Sequence, residues 1–172
     1  MSQALSNDRV RFLATLEIVR REIKVYKYSQ DRLFAMTIDR NWVEGLETDM
    51  QAAETLEAFV SRFGRLQDTM GDKLVPRALS ALAEKTGSML DNLNRAERLG
   101  WIASAETWLV ARELRNKLVH EYMLDENLFA QDVNNAANFY SLFENTYKQL
   151  KEVAEKQFGV AEADFANYLK SS

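Results

Sequence analysis

The sequence predicts an all-α protein, an up-and-down bundle of about four or five main helices with short additional helices. The 172 residues include one proline and six glycines, so the residues that interrupt long helices are scarce. Apolar residues also recur at intervals of three and four along most of the chain, which is the spacing of one helix face. The length suits one domain with a sizeable core, spanning residues 1–172.

The first helix is predicted over about residues 8–36. Asn7 or Asp8 is expected to be its N-cap, because short polar side chains can accept hydrogen bonds from the free N–H groups of a first helical turn. The helical pattern breaks at residues 37–41. There, Asp39 is expected to cap a short helix.

The second long helix is predicted from Asp49 to the neighbourhood of Val75. It should stop there because Pro76 disfavours helical conformation in the residue before it. Pro76 in turn suits the first turn of the next helix, which is expected to end at residues 86–88. The serine at the end of that segment should cap a further helix that Gly100 closes.

The rest of the chain predicts two more helices and a helical tail. Ser104 caps the first of these, which ends near residues 125–127, and a last long helix runs on to Gly159. The tail, about residues 160–170, is interpreted as helical and available to pack on a partner. Four aromatic residues in the predicted helices are interpreted as core rather than as surfaces for base stacking: Phe63, Trp108, Phe139 and Phe143.

Composition narrows the possible chemistry and location. The chain has no cysteine and one histidine, which excludes a disulfide or thiolate nucleophile and argues against a conventional zinc site. We therefore expect no metal and no cofactor. No apolar run approaches the roughly 20 residues needed to span a bilayer, and the first residues lack the layout of a signal peptide. A soluble, cytoplasmic protein without membrane contact is expected.

Charge is distributed unevenly along the chain. The net charge is −4, yet residues 60–120 carry ten Lys and Arg against seven Asp and Glu and form the only net-positive third. A phosphate-binding surface is plausible there, although the whole molecule is a poor electrostatic match for duplex DNA. The alternative interpretation is that these charges belong to solvated helix faces.

The net-positive third ends in a distinctive polar segment that contains the only histidine, His120. Arg112, Asn116 and His120 are spaced four residues apart, so they follow one stripe of the predicted helix. Arg115 and Tyr122, seven residues apart, share a neighbouring stripe. This pattern predicts a polar edge beside an apolar seam, close to the C-terminus of the helix.

Four residues separate Arg115 from His120, and one residue separates His120 from Tyr122. This segment resembles the Arg-x4-His-x-Tyr motif of HepT-type toxins in the HEPN superfamily. Asn116 matches the polar residue that often follows the arginine. The resemblance covers roughly residues 53–147, and the first helix and the last residues have no counterpart. It implies a HEPN-like bundle and a metal-independent endoribonuclease, the toxin of a type VII-like toxin–antitoxin pair that cleaves tRNA or mRNA.

Elementary chemistry agrees with that implication. RNA carries its own nucleophile in the 2′-OH, so the protein needs to move protons and to stabilise charge on phosphorus. His120 is suited to proton transfer near neutral pH. Arg115 is assigned to the phosphorane, with Arg112 and Asn116 supporting phosphate placement. One histidine cannot readily act at both ends of the reaction, and the resemblance implies a homodimer in which two motif helices form one cleft.

The resemblance also implies regulation and further groove residues. In HepT-type systems the tyrosine that corresponds to Tyr122 is adenylylated by a partner nucleotidyltransferase antitoxin of the MNT type. The added phosphate would occupy the place of substrate phosphate. A neighbouring helix supplies polar groups in such bundles, and Arg62, Arg65 and Asp68 are candidates to line that groove. Their alternative interpretation is a set of exposed ion pairs.

Two other functions remain open from the sequence. The protein could be a non-catalytic HEPN adaptor that binds a nucleotide or presents substrate to a nucleotidyltransferase. It could also be a helical interaction protein without chemistry. In that case the helix dipole explains a histidine near a helix C-terminus, Arg115 pairs with Glu121 or Asp125, and Tyr122 simply packs.

Overall fold

The computed structural model of the protein describes residues 5–120 and 125–171, and the regular elements within these ranges are helical. The predicted all-α helical bundle is confirmed. A π-helical turn, Thr69–Leu74, joins two of the helices, and 3₁₀ segments cover Ala137–Phe139 and Glu162–Ser171. The α-helices are α1 (Asn7–Leu33), α2 (Arg40–Gly45), α3 (Met50–Asp68), α4 (Val75–Ala81), α5 (Met89–Arg98), α6 (Ala105–His120), α7 (Glu126–Ala136) and α8 (Tyr140–Phe158).

Most of the predicted caps are confirmed. The Asp39 carboxylate accepts a hydrogen bond from the first turn of α2 at 2.8 Å. The second long helix begins next to Asp49 as predicted, and the structure adds that the Asp49 carboxylate caps it with a 3.1 Å hydrogen bond. Ser88 forms a reciprocal capping box with Asp91 at the start of α5. The cap of α1 was predicted one or two residues late: Ser6 accepts the hydrogen bond from the backbone N–H of Arg9.

The prediction that the second long helix stops near Val75 was wrong. Val75 has helical backbone angles, and its N–H bonds to the carbonyl of Met70, five residues earlier. The π-helical turn therefore carries the chain from α3 into α4 through Pro76, because its wider spacing accommodates a residue that cannot donate a backbone hydrogen bond. The helix ends instead at Ala81, two residues before Ala83 adopts a left-handed conformation with φ of 58°.

The last predicted helix is divided into two. The 3₁₀ segment Ala137–Phe139 separates α7, which packs on α2 and α6, from α8, which packs on α1. No proline or glycine lies at this junction. The division therefore follows from the different packing partners of the two halves.

The core is aromatic and centres on α3, which packs against α1 on one side and α6 on another. Tyr26 of α1 contacts Phe59, Phe63 and Phe143 with ring centroids 5.5 to 6.1 Å apart, and Trp108 packs edge-on against Phe143. Phe63, Trp108 and Phe143 are buried. Phe139 is half-buried against the same core, so the predicted core residues are confirmed.

The C-terminal tail packs against α1 of its own chain. Phe165 is fully buried, and the Tyr147 hydroxyl donates a 2.7 Å hydrogen bond to Glu162. The two regions outside the family resemblance thus cover each other on the α1 side of the bundle. None of the described helices is both long and apolar enough to cross a membrane.

Candidate functional site

The site is built on α6, which lies antiparallel to α3 and the π-helical turn. Ser104 starts α6 by accepting a hydrogen bond from the N–H of Thr107 at 3.2 Å, as predicted. One face of the helix enters the core through Trp108, Ala111 and Leu118. The opposite face is solvent-exposed, so side chains on the borders between the two faces lie beside the neighbouring helix and remain accessible.

Close approach between α3 and α6 depends on small and polar residues. A Cβ at Gly64 would lie 2.9 Å from Nε of Arg115, so a larger residue at this position requires the arginine side chain to shift. The Gln67 amide donates a 3.0 Å hydrogen bond to the carbonyl of Ala111. A Cβ at Gly71 would lie 3.9 Å from the Trp108 ring, which is an ordinary van der Waals contact.

Arg115 is held by one ion pair. Its Nη2 lies 2.9 Å from Oδ2 of Asp68 on α3, while 27% of the arginine side chain and 40% of the aspartate side chain are exposed. The other guanidinium donors make no hydrogen bond with a described residue. Arg115 is therefore oriented by Asp68 and keeps donors that can bind a phosphate oxygen from solvent.

Arg112 repeats this arrangement one turn earlier on α6. Its Nη1 lies 3.6 Å from Oδ1 of Asp72 and 3.1 Å from the thioether sulfur of Met89. Both partners are weak, since 3.6 Å is long for a charged hydrogen bond and a thioether is a poor acceptor. Two arginine–aspartate pairs thus lie side by side along the α3–α6 seam.

The other predicted site residues are arranged differently. Asn116 is exposed on α6. Arg62 points to α1, where its Nη1 donates to the Val25 carbonyl and the Ser29 hydroxyl at 3.0 and 2.6 Å. Arg65 is exposed between these two faces of α3. Of the three groove candidates on α3, only Asp68 contacts α6.

Two of the predicted residues fall outside what the structure describes. His120 is the last residue of α6, and its side chain lies outside the described part. Tyr122 lies in the gap between residues 120 and 125. The described backbone places His120 on α6, one turn after Asn116, and the predicted end of this helix near residues 125–127 lies at the edge of the undescribed residues.

Sequence analysis missed Glu22, a carboxylate that α1 contributes beside the π-helical turn. Thr69 donates a 2.9 Å hydrogen bond to Oε1 of Glu22, and Oε2 is buried without a hydrogen-bond partner among the described residues. Burial raises the pKa of Glu22, and the hydrogen bond from Thr69 opposes that rise. Arg65, Lys73 and Asp68 also act on it electrostatically. The pairing is invisible in the sequence, because 47 residues separate the two partners.

A cavity of about 360 Å³ opens beside the last turn of α6. Its walls are mainly apolar and come from three helices: Leu56 and Val60 of α3, Leu118 and Val119 of α6, and Phe129 of α7. Such a surface suits a nucleobase or an apolar side chain better than a phosphate.

Within the described residues, no three His, Cys, Asp or Glu side chains lie close enough to hold a metal ion together. Comparisons with protein-family models, with curated proteins and with solved structures find no match to this chain. The features of this chain that bear on its function are therefore the motif and the geometry of the α3–α6 seam.

Proposed function

We propose that the protein is a metal-independent endoribonuclease, the toxin of a type VII-like HEPN/nucleotidyltransferase pair, with tRNA or mRNA as substrate. The observation that carries this proposal is the position of Arg115. Among the described residues its guanidinium contacts only Asp68, 27% of its side chain is exposed, and it lies on the helix that carries His120 five residues later. This arrangement supports the pairing of a phosphate-binding arginine with a proton-transferring histidine.

The proposed reaction begins when a histidine removes the proton from a 2′-OH of RNA. The 2′ oxygen attacks the adjacent phosphorus, the bond to the 5′ oxygen breaks, and an acid protonates that leaving oxygen. The products are a 2′,3′-cyclic phosphate and a 5′-OH. Arg115 donates to the phosphorane oxygens, and Arg112 and Asn116 assist phosphate placement.

A homodimer through α6 would supply the second proton-transfer group. Three large apolar residues of α6 are exposed in one chain: Leu109 on the exposed face, and Val110 and Val119 at its two opposite borders. Such residues favour helix-to-helix association across a two-fold axis. In that dimer, one His120 acts as base and the other as acid.

Regulation by modification is part of the same proposal. A nucleotidyltransferase antitoxin of the MNT type adenylylates Tyr122, two residues beyond His120. The added phosphate would compete with RNA for the same arginine donors.

One observation favours the second candidate, a non-catalytic HEPN adaptor or substrate-binding subunit of a nucleotidyltransferase. Asp68 and Asp72 lie beside Arg115 and Arg112, and each carboxylate offsets positive charge that a phosphate would need. A subunit that only presents a segment to its partner needs no free arginine.

The deciding experiment is RNA cleavage by the purified chain in EDTA, with total tRNA and an mRNA as substrates and with product ends identified. Cleavage that leaves 2′,3′-cyclic phosphates and is lost in both His120→Ala and Arg115→Ala is expected. Helicity by circular dichroism should be unchanged in both variants. Full activity in His120→Ala would refute the proposed function. Absence of cleavage by a chain whose intact mass shows no adenylylation would favour the adaptor.

A further inference from the structure

A polar groove between α1 and α3 lies on a different face of α3 from the Arg115 site. Its volume is about 430 Å³, within the range of small-molecule sites. Tyr28 forms part of its wall and is 59% exposed. Among the described residues it is the only aromatic side chain that is largely exposed, whereas the other rings are buried or half-buried.

Two arginines flank this ring. The Arg32 Nη1 donates a 3.1 Å hydrogen bond to the Tyr28 hydroxyl, and its guanidinium carbon lies 5.7 Å from the ring centroid. Arg62 lines the same groove. The positions of both cations are thus defined relative to one exposed aromatic ring.

Arg62 is the more rigid of the two. Its Nη1 donates to the Val25 carbonyl at 3.0 Å and to Oγ of Ser29 at 2.6 Å, and Ser29 is itself buried. The remaining guanidinium nitrogens form no hydrogen bond with a described residue. A planar donor fixed at one end and free at the other is well suited to bind a phosphate oxygen.

We propose that the α1–α3 groove binds one nucleotide of single-stranded RNA, with an unpaired base stacked on Tyr28 and a neighbouring phosphate bound by Arg32 and Arg62. Single-stranded nucleic acid is held by this combination of aromatic faces and arginine donors. Glu54 is the acidic residue of the groove. Its carboxylate accepts from a ribose hydroxyl or an exocyclic amine, and it repels phosphate from that end.

The position of the groove connects it to the Arg115 site, and the choice of RNA as ligand rests on the proposed function. Arg62, Arg65 and Asp68 follow one another at three-residue intervals around α3. The first contacts α1, the second is exposed, and the third contacts Arg115 on α6. A strand bound at both places would cross one helix, about 10–12 Å wide, with Arg65 below its backbone.

The test measures binding separately from cleavage. A fluorescein-labelled single-stranded 2′-O-methyl RNA oligonucleotide lacks the free 2′-OH nucleophile, so the protein can be titrated in EDTA and binding followed by anisotropy. Tyr28→Leu should weaken binding about five- to tenfold, because one base loses its aromatic partner. Tyr28→Phe keeps the ring and should bind within about twofold of wild type.

Charge is tested with a matched pair of variants on α1. Arg32→Gln should weaken binding severalfold and reduce its salt dependence. Arg11→Gln makes the same charge change at the other end of α1, where the exposed Arg11 side chain makes no hydrogen bond or ion pair with a described residue. It should bind like wild type.

Equal affinities for wild type and Tyr28→Leu would overturn the groove proposal, even if the chain cleaves RNA. Equal losses for a single strand and for a perfectly paired duplex would also overturn it, because a paired base cannot stack on Tyr28. Conversely, Tyr28-dependent binding by a chain that never cleaves RNA supports the groove and refutes the nuclease. The two proposals therefore fail on different measurements.

Discussion

Two carboxylates on different helices bind arginine in different ways. Glu17 on α1 is 2% exposed and accepts three hydrogen bonds of 2.8 to 2.9 Å, two from Arg20 and one from Arg21. Asp68 on α3 is 40% exposed and, among the described residues, accepts one, from Arg115. The first group is buried and inaccessible to a ligand, whereas the second can exchange its partner with solvent or phosphate. A buried carboxylate with several arginine donors thus forms a structural ion pair, whereas an exposed carboxylate with one donor can take part in ligand binding.

The hydrogen bonds of Glu17 with Arg20 and Arg21 should contribute more to stability than an exposed ion pair does. Glu17→Gln should lower the free energy of unfolding by about 1–2 kcal/mol, because it removes a buried charged acceptor while both arginines can return to water. Urea denaturation would measure this. Glu152→Gln removes an exposed partner of Lys156 at 3.8 Å and should change stability by less than about 0.5 kcal/mol. Equal effects of the two variants would contradict the distinction.

The same network predicts a pH dependence. The hydrogen bond from Arg20, together with the contact from Arg21, holds the pKa of Glu17 below its ordinary value. Its stabilisation is therefore present above the ordinary glutamate pKa and is lost as pH falls through the lower pKa of the folded state. The stability difference between wild type and Glu17→Gln should shrink over that acidic range. A constant difference would show that the charge of Glu17 is not responsible.

The Arg115–Asp68 ion pair should be sensitive to packing beneath Arg115. Gly64→Ala places a methyl group 2.9 Å from the present Nε of Arg115, so the guanidinium must shift. The proposed cleavage should fall about tenfold, which is less than the roughly hundredfold loss that a 1 Å misplacement can cause, because only a flexible side chain has to move. Stability should stay level or rise by up to about 1 kcal/mol from helix propensity. Gly45→Ala, where a Cβ would meet nothing within 4 Å, is the matched control. Unchanged cleavage in Gly64→Ala would mean that Arg115 acts without this position.

Removing the negative charge of Asp68 should strengthen RNA binding, whereas Gly64→Ala should impair the site. Asp68→Asn should tighten RNA binding about threefold at low salt, because the carboxylate no longer competes with phosphate, and the gain should fade as salt screens the charges. Binding by anisotropy at two salt concentrations is the measurement, with Asp8→Asn on α1 as the control for net charge. Weaker binding in Asp68→Asn would contradict the prediction and would show that orientation of Arg115 by Asp68 outweighs the competition of its carboxylate with phosphate.

The smallest effect is expected at Glu22. Burial raises its pKa, so the folded state binds a proton more tightly than the unfolded chain, and stability declines as pH rises from the ordinary glutamate pKa to the raised one. Glu22→Gln should abolish that decline and leave the variant slightly favoured above this range. Thermal unfolding at several pH values would measure it, with Glu57→Gln on α3 as the control. Identical pH profiles for wild type and Glu22→Gln would contradict the assignment.

Much of the fold could be predicted because caps and periodicity act within a few residues. Asp39, Asp49, Ser88 and Ser104 each bond to a backbone N–H three positions later, so their local sequence was sufficient. Pro76 was misleading because a π-helical turn compensates for its missing donor, and that compensation is a property of the whole packed helix.

The residues of the candidate site also fall into two groups, those that the sequence reveals and those that only the folded structure reveals. Arg112 could be selected from its spacing to Asn116 and His120, whereas Arg115 and Asp68 were selected through the resemblance to the HEPN motif and bundle. Gly64, Asp72 and Glu22 could not be selected, because each matters only through a residue tens of positions away in the chain. Arg62 was selected as a partner of the motif helix, yet its contacts are with α1, since helical periodicity does not say which neighbour a face meets.

Local sequence is enough to predict where most helices begin, which aromatic residues enter the core, and that Arg112, Arg115 and His120 share a helix. These features follow from local hydrogen bonding and from the 3.6-residue period. Three features appear only in the folded protein: the helical path from α3 through Pro76 into α4, the division of the last predicted helix, and the contact between Arg115 and Asp68, 47 residues apart. They depend on how two helices fit against each other, and no short segment carries that information.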